Sequence, residues 1–94
     1  MMIKNKTLLR FKIYDGDREY TDYTIIDNKQ LLNFNYKEII SKFFHDDKVN
    51  DEQFLSDGRA VRVESELAIT SEQAETLEKL SMAFLHDFKS EVMA

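Results

Sequence analysis

Apolar and polar residues alternate with a period of two from Thr7 to Tyr14, where Leu9, Phe11 and Ile13 interleave with Leu8, Arg10, Lys12 and Tyr14. That period predicts a half-buried β-strand. Asp15-Gly16-Asp17 follows as a turn, with Gly16 supplying the positive φ. Arg18 to Asp27, rich in Thr, Tyr and Ile, predicts a second strand and so a hairpin. Two sets compete for its inward face. Thr21, Tyr23 and Ile25 form one; Tyr20, Asp22, Thr24 and Ile26 form the other. The first is the expected set, because a buried Asp22 needs a partner. A change of one residue in the turn would reverse the choice.

The period then lengthens. Asn35 with Glu38 reads as a capping box, and Tyr36, Ile39, Ile40, Phe43 and Phe44 recur at helical spacing. Asp27 with Gln30 is a competing, earlier start. This helix should end near His45. Residues 46–58 form an acidic loop, with Phe54 and Leu55 tucked under the core. Arg59 to Ile69 is a third strand. Val61, Val63, Leu67 and Ile69 share one parity with Ser65 as a gap; Arg62, Glu64 and Glu66 share the other. Thr70 and Gln73 cap a second helix, whose stripe of Ala74, Leu77, Leu80, Phe84 and Phe88 carries it to about Glu91. Phe43, Phe84 and Phe88 are core by this reading.

The order β-β-α-β-α predicts an α+β fold. The hairpin is antiparallel, and the third strand pairs antiparallel with the first, giving the spatial order 2-1-3. A right-handed crossover puts both helices on one face. The expected architecture is a two-layer sandwich with one open sheet face. Residues 1–94 form a single domain, with 1–6 as a flexible N-terminus. An echo joins Lys42-Phe43-Phe44-His45-Asp46 to Ala83-Phe84-Leu85-His86-Asp87, and both are read as helix ends.

Composition removes chemistries. The 94 residues include no Cys, no Pro and two Gly. Disulfides, thiolate nucleophiles and Cys-ligated zinc are excluded. Two glycines build neither a P-loop nor a dinucleotide fingerprint. The longest wholly apolar run, Met82 to Leu85, is far short of the ~20 residues of a membrane span. The N-terminus lacks a signal peptide's apolar stretch. A cytoplasmic protein without cofactors is expected.

Charge is unevenly placed. Residues 1–14 hold Lys4, Lys6, Arg10 and Lys12 and no acid; the rest hold 18 acids against nine bases. A basic strip of this kind can bind nucleic acid. The topology offers another account. Arg10 and Lys12 lie on the central strand, beside Glu64 and Glu66 of the third strand and Glu19 or Asp22 of the second. Cross-strand pairs of this kind contribute ~0.2–1 kcal/mol each. Self-neutralisation is expected, and direct nucleic-acid binding is not; Lys4 and Lys6 remain unpaired.

Other candidate sites follow. Asp46, Asp47, Asp51, Glu52 and Asp57 could ligate a hard cation, but the EF-hand template fails. Counted from Asp46, Lys48 falls at a ligand position and Asp51 at the required glycine. A solvated loop is the commoner outcome. His45 and His86, each followed by Asp, suit helix C-termini better than catalysis. No Gly-x-Ser-x-Gly elbow exists. It also lacks the GXXG loop of KH domains and the aromatic motif of RNA-recognition domains. Tyr14 and Tyr20, with Asp15, Asp17 and Arg18, flank the hairpin tip beside Arg10 and Lys12, a composition typical of protein interfaces.

The expected function is a non-enzymatic protein-binding module acting through the hairpin tip, the open face or the acidic loop. Its partner is a protein, or a second copy through an edge strand or the open face. Two alternatives stand beside it. One is an acidic inhibitor of a nucleic-acid-handling complex, of the phage or mobile-element type; the other is a cation-binding regulatory domain using residues 46–58. An enzyme would need His45 or His86 in a pocket with a carboxylate.

Overall fold

A computed structural model describes residues 3–85. Strand β1 (Lys6–Asp15) buries Leu9, Phe11 and Ile13 on one face. Gly16 (φ 64°) and Asp17 make the two-residue connection to β2 (Arg18–Asp27), closed by the pair Asp15–Arg18. Positive φ at the first connecting residue alone is the pattern of a type II′ turn. The resulting register sets Thr24 opposite Leu9, Asp22 opposite Phe11 and Tyr20 opposite Ile13. The Tyr20, Asp22, Thr24 and Ile26 set therefore shares the Leu9 face, reversing the expected choice. Asp22 needs no buried partner, because this part of the edge strand is exposed and its Oδ1 accepts the Tyr23 N–H at 2.9 Å.

Strand β3 (Ala60–Ile69) pairs antiparallel with β1, giving the expected order β2-β1-β3 and an α+β fold. The β1–β3 register slips by one residue: Phe11 faces Val63, while Arg10 faces Ser65. The extra residue is a β-bulge, and it inverts every side chain beyond it. Before the bulge, Val61 and Val63 join Phe11 and Ile13. After it, Leu67 and Ile69 turn to the opposite face with Leu8 and Lys6. The single apolar parity of β3 is thus shared between two faces.

Both expected helix starts are used. Asp27 caps a single turn, α1 (Asn28–Leu31), and Asn35 opens α2 (Tyr36–Phe43) with a complete capping box. Ile39 and Ile40 of α2 are buried against Leu9, Phe11, Ile13, Ile26 and Val61, with Val49 and Leu55 from the loop beneath. Phe11 meets Phe43 at 5.0 Å and Phe44 at 5.9 Å between ring centroids. The 46–58 loop is held to β3: Val61 N–H donates to Gln53 O at 3.0 Å, and Phe54 bridges Ala60.

Thr70 and Gln73 form the second capping box, opening α3 (Ser71–Lys79). Ala74 and Leu77 pack with Ile25, Ile69, Ala83 and Leu8. That cluster lies on the sheet face opposite α2, because the bulge has carried Ile69 there. The helices therefore divide between the two faces instead of sharing one, and only part of the second face is open.

Helix α3 also stops about three turns early. Ser81 adopts φ 56°, Met82 N–H donates to Leu77 O at 2.9 Å, and Ser81 N–H to Glu78 O at 3.0 Å. This is a complete Schellman ending. The chain then turns back along β2, where Ile25 N–H donates to Phe84 O at 3.0 Å and Leu85 forms a parallel bridge to Ile25. Phe84 is exposed and is not core. The proposed echo fails at its second member: 83–85 is extended, not a helix end, while Asp87, Phe88 and Glu91 lie outside the described residues. The true counterpart of Leu80-Ser81-Met82 is Phe44-His45-Asp46, since His45 (φ 53°) closes α2 by the same pair of bonds. Among the described residues, no helix is long and apolar enough to cross a membrane.

Candidate functional site

Beyond α3, the second sheet face presents Arg10, Lys12 and Tyr14 of β1. Arg10 Nε lies 3.1 Å from Glu64 Oε2, an ion pair without hydrogen-bond alignment, and Lys12 Nζ lies 3.4 Å from Glu19 Oε1. Both cations are neutralised across strands, as expected. Glu66 takes no part. The bulge turns it to the α2 face, where it accepts a hydrogen bond from Tyr36. Burial, with this carboxylate, pushes the Tyr36 phenol up to about 12. Lys6 is also paired, against expectation. Its Nζ donates to Asp27 Oδ2 at 2.9 Å, which holds that carboxyl below its ordinary range.

The hairpin-tip candidates do not form one surface. Tyr14 is exposed on the face that carries Arg10 and Lys12. Tyr20 lies on the α2 face, where its hydroxyl accepts from Arg59 Nη1 at 2.7 Å. Arg59 Nε donates to Asp57 Oδ2 at 2.8 Å, and its guanidinium sits 5.8 Å from the Phe44 ring centroid. Arg59 therefore ties the hairpin to the acidic loop. Asp15, Asp17 and Arg18 are exposed at the tip between the two faces.

The loop carboxylates are occupied separately. Asp46 accepts from Ser56 N at 2.7 Å, Ser56 Oγ at 2.8 Å and Lys48 N at 2.9 Å. The Ser56 amide is the main cause of its lowered pKa. Asp51 meets Lys37 at 2.8 Å, and that bond lowers its pKa too. Glu52 is exposed and contributes its backbone carbonyl to Arg62. Asp47 borders a cavity of about 280 Å³ together with Lys37, Glu38 and Lys42. Among the described residues, no three acidic or imidazole side chains are grouped as a metal would require. His45 is exposed at the end of α2, and His86 lies outside the described residues.

A different feature adjoins Arg10. Leu8, Tyr23, Leu77, Met82 and Ala83 line an apolar cavity of about 100 Å³ where α3 ends over the sheet. Leu67 stands beside Leu8 in the register and is 57% exposed, and Met82 is 59% exposed. Tyr23 sits opposite Arg10. The sequence reading missed this surface. Its one signal was the gap at Ser65, which marks where the apolar parity changes face.

No family model, curated protein or solved structure matches the chain.

Proposed function

We propose that the chain is a non-enzymatic protein-binding module, acting through the half of the sheet face that α3 leaves uncovered. The observation behind this reading is the apolar cavity lined by Tyr23 and Met82, with exposed Leu67 beside its Leu8 wall, next to the Arg10–Glu64 and Lys12–Glu19 pairs. Exposed apolar side chains clustered inside a charged rim favour protein association. Tyr, Met and Arg are the residue types that interfaces enrich. The hairpin tip extends this surface through Tyr14 alone, since Tyr20 serves the loop. The reading includes a cytoplasmic setting.

The test is affinity capture from the native host with three baits: the unaltered chain, Leu67→Glu and the control Asp47→Ala. A partner retained by the first and third and lost by the second supports the reading. Turnover of a small molecule, or a partner indifferent to Leu67→Glu, overturns it.

A second reading is favoured by charge. Lys6, Arg10 and Lys12 are all paired within the fold, so the net charge of −5 is left to the remaining surface. An acidic inhibitor would compete for a basic surface of a nucleic-acid-handling protein. Its binding would weaken steeply between low and physiological salt. Salt-insensitive binding excludes it.

A further inference from the structure

The outer margin of β3 differs along its length. At its start the loop covers it, through Val61 N–H to Gln53 O and the Phe54–Ala60 bridge. Past the bulge none of the described residues does. The direction of the backbone groups there follows from two pairings. Ile25 sends its N–H outward to Phe84, so its partner Leu8 sends its own toward β3. Leu8 faces Leu67, which therefore points inward, and its neighbours Glu66 and Ala68 point outward. Among the described residues, the backbone N–H groups of Glu66 and Ala68 have no partner.

Side chains alternate in the same stretch. Leu67 is exposed on the α3 face, and Glu66 is exposed on the α2 face, where Tyr36 donates to it. We infer that the β3 margin from Ser65 to Ile69 accepts an extended segment of a partner protein in which apolar and cationic residues alternate. The incoming strand takes the outward bonds of Glu66 and Ala68. It sets an apolar side chain across from Leu67 and a Lys or Arg across from Glu66. A second copy fits less well, because pairing β3 with itself brings Glu64 and Glu66 of both copies together. This inference rests on the binding-module reading and names the partner's chemistry.

The probe is a short synthetic peptide alternating valine and lysine, added in millimolar excess to the full chain while amide exchange is followed by NMR. The expected result is slowing of the Glu66 and Ala68 amides by about tenfold or more, with Leu67 unchanged because its bond to β1 already exists. Glu66→Lys should abolish the slowing. Ala68→Pro should weaken it without breaking the β1–β3 ladder, since that N–H lies outside the ladder. If Ala68→Pro does not fold, Glu66→Lys decides. Unchanged exchange at both amides overturns the inference, as does equal protection by a valine–glutamate peptide. A captured host protein that requires Leu67 but leaves both amides unprotected overturns this inference and retains the module reading.

Discussion

Single side chains carry more of this fold's definition than its size suggests. His45 and Ser81 each hold positive φ to close a helix, a conformation that costs a residue with a Cβ roughly 1 kcal/mol. Glycine removes that cost but adds freedom to the unfolded chain. Ser81→Gly and His45→Gly are therefore expected to stabilise by ~0.5 kcal/mol each, read as a shift in urea midpoint. Tyr36 offers a pH signature. Its folded pKa is raised to about 12 from 10.0, so its contribution is complete below pH 10 and lost as pH rises toward 12. Tyr36→Phe should cost about 1 kcal/mol at pH 7, and the gap should close in urea melts repeated at high pH. Asp46 behaves in the opposite sense. Its lowered pKa means that its contribution is present above the ordinary carboxylate range and lost as pH falls through the folded value. Stability curves of Asp46→Asn and the unaltered chain should converge in acid.

At the scale of elements, the legible features were those written in local chemistry. Asn35 with Glu38 and Thr70 with Gln73 marked both long helix starts, and Asp15-Gly16-Asp17 marked the hairpin. Thr70→Ala should cost about 1 kcal/mol by removing a cap, measurable by thermal unfolding. What escaped depended on one inserted residue. Alternation along β3 shows a parity but not a slip against β1, so Leu67 and Ile69 read as companions of Val61. The end of α3 escaped for a related reason. The apolar stripe continues through Leu80 and Phe84, and no glycine announces the stop; the αL position falls to Ser81. Deleting Glu64 should make β3 regular and leave Ile69 opposite Lys6 on the α3 face, so the test of that face is Ile69→Ala. Ile69 burial against Ala74 would be lost, a cost of about 2 kcal/mol. Exchange protection of α3 should collapse before that of β1, whereas Ser65→Ala should leave both unchanged.

For the whole molecule, the candidate surface was less legible than the fold. Tyr14 and Tyr20 are close in sequence yet stand on opposite faces, because strand side chains alternate and the turn fixes the register. Leu67, Met82 and Tyr23 are far apart in sequence and share one face around Leu8 only because the bulge and the Schellman ending bring α3 and the chain after it there. The two cores are unequal. Phe11 sits in the larger one, against both Phe43 and Phe44, and Phe11→Ala should cost 3–5 kcal/mol or so. That is a large part of the stability of a domain this small, so the variant should be mostly unfolded by circular dichroism at room temperature.

The outward groups of β2 have a consequence for assembly. Tyr23 N–H is taken by Asp22 and Ile25 N–H by Phe84, which leaves that margin usable only beside the hairpin tip. A sheet that can be lengthened on both sides propagates into fibres; one that can be lengthened on a single side stops after one addition. Among the described residues, this chain can receive a neighbour at β3 while offering the next one only the short stretch of β2 beside the hairpin tip.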